Sequence, residues 1–103
     1  MEVFSVGPDE LSSYEIDEVK NENAKYLVYS YENFGYEGSG DAIVINNDNS
    51  LIHHELSHCS CYGPFDGGGT SVSIEDVLAP KESVHEFDCA EEIKSKVKEL
   101  LGL

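Results

Sequence analysis

Two apolar runs joined by a short polar turn place the strongest constraint on how this chain folds. The runs are Asp41–Asn46 and Leu51 to about Cys61, and Asn47-Asp48-Asn49-Ser50 lies between them. Asparagine and aspartate are typical of hairpin turns because they tolerate the left-handed backbone region and their side chains bond to the nearby backbone. The pattern therefore predicts an antiparallel β-hairpin.

Two further strands are predicted upstream of this hairpin. Ala24–Glu32 is dense in aromatic and β-branched residues, which favour strands. Its run Leu27-Val28-Tyr29 is apolar on both faces, as expected of a central strand covered on at least one side. From Tyr14 to Val19 the chain begins with a period of two, Tyr14 and Ile16 alternating with acids, which predicts a half-buried strand with an imperfect end.

The C-terminal part of the chain is predicted to be helical. Ser83-Val84-His85-Glu86 has the pattern of a capping box. From there apolar residues recur at three-four spacing to about Leu101, and Gly102 fits a helix C-cap. A second capping pattern, Ser73-Ile74-Glu75-Asp76, predicts a shorter helix that Pro80 ends.

These elements together predict the fold class. The chain is expected to be an α+β protein, with an antiparallel β-meander of about four strands and a C-terminal helix packed on one face of the sheet. Gly67-Gly68-Gly69 is expected to end regular structure after the last strand. A length of 103 residues predicts one domain, residues 1–103.

The charge balance excludes some classes of function. The chain has 21 acidic residues, six lysines and no arginine, and its formal net charge is −15. Such a chain repels phosphate backbones, so direct binding of nucleic acid is disfavoured. It is instead steered toward basic surfaces, which in a cell belong mostly to proteins that bind nucleic acid. The alternative is that the acidity only keeps the protein in solution.

The N-terminal sequence and the cysteine content indicate the compartment. The first residues carry neither a basic region nor an apolar run of the signal-peptide kind, and no stretch approaches the length of a membrane span. The three cysteines are an odd number, and Cys59 and Cys61 are too close together to pair well with each other. We therefore expect a cytoplasmic protein with reduced thiols.

Metal-ligating residue types gather between positions 53 and 61, which hold three of the four histidines and two of the three cysteines. One hypothesis is a zinc site, because zinc accepts tetrahedral sets of cysteine and histidine. Its ligands would be His58, Cys59, Cys61 and Cys89. Two observations weaken it: the cysteine spacing differs from that of familiar structural zinc sites, and alternate residues of a strand face opposite sides.

Two other interpretations of the same stretch remain open. A cysteine nucleophile would need Cys59 beside a histidine base such as His58 or His85, but no spacing in the sequence enforces that arrangement. A purely structural interpretation makes Tyr62-Gly63-Pro64-Phe65 a rigid corner after the last strand. In that interpretation the cysteines are small buried hydrophobic residues.

The stretch around His58 to Asp66, together with a segment upstream of it, resembles a known group of proteins. Gly35-Tyr36-Glu37-Gly38-Ser39-Gly40, a short apolar strand, and then Leu56-Ser57-His58-Cys59-Ser60-Cys61-Tyr62-Gly63-Pro64-Phe65-Asp66 resemble small uncharacterised proteins encoded by bacteriophages and other mobile elements. The resemblance covers roughly Tyr26 to Asp66. That family has no settled activity, so the resemblance implies a biological context and no catalytic residues. Small, highly acidic phage proteins often bind host proteins, including nucleases and other defence effectors.

The sequence thus favours a non-enzymatic, phage-type protein without a cofactor. Its expected partner is a host protein with a basic surface, such as a nucleic-acid-binding enzyme, which it inhibits by presenting carboxylates in place of phosphates. An anti-defence inhibitor of the anti-CRISPR or DNA-mimic kind would act in this way. The alternative is a small zinc-binding domain. The candidate binding residues are His58, Tyr62, Phe65, Asp66, Tyr36 and Glu37.

Overall fold

The strands of the protein form one mixed sheet with helices against it. The computed structural model describes residues 1–33, 35, 37–58, 68–78 and 91–103, and for residues 57 and 58 the backbone alone. Within these residues the elements are β1 (Glu2–Ser5), α1 (Ser13–Asp17), β2 (Ala24–Asn33), β3 (Gly38–Asn46), β4 (Leu51–His58), β5 (Gly69–Val72), α2 (Ile74–Leu78) and α3 (Glu91–Leu101). The strand order is β1-β2-β3-β4-β5.

The predicted α+β class is confirmed, and the sheet is mostly antiparallel. Strands β2 to β5 pair with their sequence neighbours in antiparallel fashion. Strand β1 lies at one edge and runs parallel to β2, a pairing that the predicted meander did not include. The C-terminal helix α3 packs on the sheet through Ile93 and Val97, which are fully buried.

The predicted hairpin forms between β3 and β4, with the turn where the sequence places it. Asn49 adopts a φ of 66°, in the left-handed region that asparagine tolerates. The Asp48 carboxylate accepts hydrogen bonds from the Ser50 hydroxyl at 2.6 Å and from the Ser50 backbone N–H at 3.0 Å. These two bonds lower the pKa of Asp48 because they favour its charged form. They also help to fix the register of β3 and β4, which this turn connects.

The predicted strand at Tyr14–Val19 is wrong, because this segment contains helix α1. The helix begins after a capping box that the period-two interpretation overlooked. The Ser12 hydroxyl accepts from the Glu15 backbone N–H at 3.3 Å, and the Glu15 carboxylate accepts from the Ser12 N–H at 2.9 Å. Ile16 and Val19, three residues apart, both face the sheet, whereas Tyr14 faces solvent.

Strands β1 and β5 were not predicted. Both are four residues long and lie at the two edges of the sheet, where one partner strand is enough to hold them. The expectation that the glycines end regular structure is wrong at Gly69, which opens β5 opposite His54. Neither strand has an alternating apolar pattern, so the pairing with a central strand decides their conformation.

The sheet is covered on both faces, so the protein has two apolar cores. The first core lies on the α1 face and contains Leu11, Val19, Ala24, Leu27, Tyr29, Tyr31, Ala42, Val44 and Leu56. The second core lies on the α3 face and contains Val28, Ile43, Ile45, Leu51, Val77, Ile93 and Val97. This arrangement explains why the middle of β2 is apolar at consecutive positions, since its successive residues enter different cores.

The helix ends follow the sequence signals where the structure describes them. The predicted capping of α2 is confirmed: the Ser73 hydroxyl accepts from the Asp76 N–H at 3.1 Å, and the Asp76 carboxylate accepts from the Ser73 N–H at 3.5 Å. Gly102 ends α3 with a φ of 74°, and the Leu103 N–H bonds to the Lys98 carbonyl at 2.9 Å. This is a Schellman C-cap. The capping pattern at positions 83–86 lies outside the described residues.

The Tyr29 hydroxyl anchors the segment before α1 to the sheet, and its removal gives a first prediction. The buried hydroxyl accepts a hydrogen bond from the Leu11 backbone N–H at 2.9 Å. We expect Tyr29→Phe to lower the free energy of unfolding by about 1–3 kcal/mol, because the Leu11 N–H is left buried without an acceptor. Chemical denaturation measures the difference. Tyr14→Phe, which removes an exposed hydroxyl, is the control and should change the stability by less than about 0.5 kcal/mol.

Candidate functional site

Most of the predicted binding residues lie outside the described part of the chain. These residues are Tyr36, Tyr62, Phe65 and Asp66. Of the other two, Glu37 is exposed just before β3, and His58 is the last residue of β4. Because Gly38 and His58 are register partners, the structure brings Glu37 and His58 to the same end of the sheet. Their backbones therefore lie near each other, and their role in binding stays a prediction.

The zinc hypothesis also concerns residues that the structure does not describe. Cys59, Cys61 and Cys89 lie outside the described residues, and for His58 only the backbone is known. In the described ranges, no three or more histidine, cysteine, aspartate or glutamate side chains converge in a way that could hold a metal ion. The zinc site remains a prediction that elemental analysis of the purified protein would decide.

The predicted alternation along β4 is confirmed and separates the two neighbouring histidines. Leu56 belongs to the first core, and Ile52 packs against it. His54 lies on that same face, between these two residues in sequence. His53 lies on the opposite face with Leu51 of the second core. The two imidazoles therefore have different environments and cannot act as one ligand pair.

His53 forms a hydrogen-bonded pair with Asp41 on the α3 face of the sheet. The Nε2 atom of His53 lies 2.8 Å from Oδ1 of Asp41, and the two side chains are 15% and 27% exposed. His53 stands opposite Ile43 in the register and Asp41 stands opposite Glu55, so the pair is diagonal. A carboxylate in this position orients the imidazole ring. The pair marks the polar end of a sheet face whose other end is apolar.

Sequence reasoning missed this pair, although the turn contained the necessary signal. A turn at Asn47–Ser50 places Ile45 opposite Leu51, and counting back along both strands places Asp41 diagonal to His53. A carboxylate and an imidazole in neighbouring strand positions on one face are within reach of each other. The pair of Asp41 and His53 thus follows from the register of the hairpin, and not from the clustering of histidines and cysteines in the sequence.

A cleft of about 300 Å³ lies on the α1 face of the sheet. It is lined by Glu18, Val19, Lys20, Asn21, Val44, Ile52, His54 and Gly69. A Cβ atom at Gly69 would lie 2.6 Å from Cγ2 of Ile52 and 2.7 Å from Cε1 of His54, so a larger residue there would displace these two side chains. The backbone of β5 thus lies close against the His54 imidazole.

His54 gives a second prediction, on the pH dependence of stability. Burial lowers the pKa of His54 below its ordinary value of 6.5, the neighbouring His53 lowers it further, and a hydrogen bond with the Gly68 backbone partly offsets both effects. The unfolded chain therefore binds a proton at a higher pH than the folded protein does. As the pH falls below about 6.5, the free energy of unfolding should fall until the pKa of the folded state is passed.

Chemical denaturation between about pH 7.5 and pH 5 measures this effect, above the range where carboxylates titrate. His54→Gln is the comparison, because the amide does not titrate and retains a hydrogen-bonding side chain. We expect the variant to show a smaller loss of stability on acidification than the wild type. Equal losses in both proteins would show that His54 does not link protonation to folding.

The exposed residues of the protein carry a large excess of negative charge. Seventeen of the 21 acidic residues lie in the described part of the chain, and none of them is buried. Thirteen are exposed, and the described chain has five lysines to set against them. Two of these lysines lie beside acids of their own helix, Lys94 with Glu91 at 3.5 Å and Lys96 with Glu99 at 3.4 Å. The described surface therefore has a large unneutralised negative charge.

The segment of residues 9–22, which contains α1, is the most acidic stretch of this surface. It holds six carboxylates and one lysine: Asp9, Glu10, Glu15, Asp17, Glu18, Glu22 and Lys20. Two of these carboxylates act electrostatically on Tyr31. Burial first, then Glu15 and Asp9, raise the pKa of Tyr31 above 10.0. The Asp9 carboxylate also accepts from the Asn33 N–H at 2.8 Å, which fastens the segment to β2.

Comparison with known proteins does not place the chain in a family. No model of a protein family matches it, and neither a curated protein nor a solved structure does. In the part of the chain that the structure describes, no helix is long and apolar enough to cross a membrane.

Proposed function

We propose that this chain is a non-enzymatic binding protein that engages a basic surface of another protein through its exposed carboxylates. The observation that carries the proposal is the excess of exposed acids over cations, thirteen exposed carboxylates against five lysines in the described residues. Opposite charges arranged in this way raise association rates and select the partner. Together with the phage-type resemblance, they favour a host protein as the partner.

The chemistry of the surface narrows the class of partner. Basic clefts in cellular proteins mostly bind phosphate backbones, and exposed carboxylates present the same charge to them. The chain has no arginine with which to contact nucleic acid itself. A nucleic-acid-binding enzyme of the host, inhibited by occupation of its nucleic-acid site, is the partner that best fits this charge pattern. An anti-defence role is one form of such inhibition.

A capture experiment tests this proposal. The immobilised protein is incubated with lysate of a bacterial host at about 50 mM salt, and the bound proteins are then challenged with about 500 mM salt or with duplex DNA. We expect a basic protein to be retained at low salt and released by either challenge. The absence of a captured protein, or a partner that neither salt nor DNA displaces, would contradict the proposal.

A further inference from the structure

One aromatic side chain on the acidic segment is left in solvent. Tyr14 is 85% exposed, whereas Tyr29 and Tyr31 are almost completely buried. In the described residues, the other large apolar side chains that are exposed are Val3 and the C-terminal Leu103, so Tyr14 is the one exposed aromatic residue among them. An exposed tyrosine offers a large, rigid contact surface that loses little conformational entropy on binding.

Two exposed carboxylates follow this tyrosine at helical spacing. Asp17 and Glu18 follow Tyr14 by three and four residues, the spacing that brings side chains together on a helix. Both are exposed, as is Glu10 just upstream. The ion pairs found among the described residues lie elsewhere, on α3 and between β3 and β4. We call the set Tyr14, Asp17 and Glu18 the tyrosine–carboxylate patch.

The tyrosine–carboxylate patch is held in place before any partner arrives. Leu11 and Val19, on either side of the helix, are buried in the first core, and Ile16 packs against it. The capping box of Ser12 and Glu15 fixes the first turn. A preformed surface binds with a smaller ordering cost than a mobile one.

We infer that the tyrosine–carboxylate patch is the docking surface for an arginine side chain on the basic surface of the partner. This inference rests on the proposed function and names the site and the chemistry. A guanidinium group stacks on a tyrosine ring and at the same time donates parallel hydrogen bonds to a carboxylate. Asp17 and Glu18, three and four residues after Tyr14, supply the carboxylates for these bonds. A lysine ammonium satisfies the charge but has no plane to stack, so arginine is selected over lysine.

An NMR titration tests the inference with two short capped peptides, one of alternating glycine and arginine and one of alternating glycine and lysine. At low salt we expect the amide shifts to concentrate in residues 12–19. The arginine peptide should bind about two- to fivefold more tightly than the lysine peptide, the range expected of an exposed cation–π contact. Tyr14→Phe should retain this preference, because the ring remains, and Tyr14→Leu should remove it.

A charge-matched pair of variants separates the contribution of the tyrosine–carboxylate patch to peptide binding from that of the overall negative charge. D17N/E18Q and E2Q/E55Q each remove two exposed carboxylates. We expect the first variant to bind the arginine peptide about two- to fivefold more weakly than the second. Equal binding by both variants, with Tyr14→Leu unchanged, would overturn the inference and leave the proposed function standing. The absence of shifts with either peptide would contradict the proposed function as well.

Discussion

Replacing Gly40 with alanine is expected to destabilise the protein by about 3 kcal/mol. Gly40 pairs with Tyr31 in the middle of the sheet, between β2 and β4. A Cβ atom at this position would overlap the carbonyl oxygen of Ser30 and lie 2.9 Å from Cα of Tyr31. Both contacts are with backbone of a paired strand, so the strain is relieved only by moving β2 away from β3.

The control for this variant is the same substitution at a position with open space. Gly102 has a φ of +74°, and a Cβ atom added there would meet nothing within 4 Å. Gly102→Ala should therefore cost about 1 kcal/mol, from the left-handed backbone alone. Thermal and chemical denaturation measure both variants. A Gly40→Ala protein as stable as Gly102→Ala would show that the close approach of β2 and β3 is not required.

Truncation of Ile43 to alanine is expected to cost about 3–4 kcal/mol. Ile43 is fully buried in β3 and belongs to the second core, beneath α3. Its removal leaves a cavity between the sheet and the helix that the surrounding strands cannot fill, because they are fixed by pairing on both sides. The measured loss of unfolding free energy tests whether the C-terminal helix α3 packs on Ile43 and the rest of the second core.

Ile52→Ala is the matched control, since Ile52 is the same residue type on the neighbouring strand but only partly buried. It should lower the free energy of unfolding clearly less than Ile43→Ala does, because its methyl groups already contact solvent. Denaturant titrations of the two variants give the comparison. Equal losses would mean that α3 does not cover Ile43 in solution.

The central part of the fold could be predicted from local signals alone. Strands β2, β3 and β4 carry dense β-branched and aromatic residues, and the turn between β3 and β4 has the residues that its backbone requires. The α1 helix could not be found by periodicity because it is only five residues long, too short to show a helical repeat. Its signal was the capping box of Ser12 and Glu15, which outweighs a chance alternation of Tyr14 and Ile16.

The edge strands and part of the candidate site depend on non-local interactions, which local sequence patterns do not predict. The conformation of β5 is imposed by pairing with β4, a non-local interaction that the local sequence Gly-Thr-Ser-Val does not encode. The separation of His53 and His54 onto two faces was predictable from strand alternation, but the pair of His53 with Asp41 required the register of the hairpin. The exposure of Tyr14 required knowledge of which face of α1 meets the core.

We propose that exposed carboxylates of this chain recognise a basic protein surface. The most direct measurement is the affinity for the captured partner as a function of salt, with the wild type and D17N/E18Q compared in parallel. We expect the affinity to fall at least about tenfold between about 50 and 200 mM salt, and the variant to show a shallower dependence. An affinity that does not change with salt would contradict the claim.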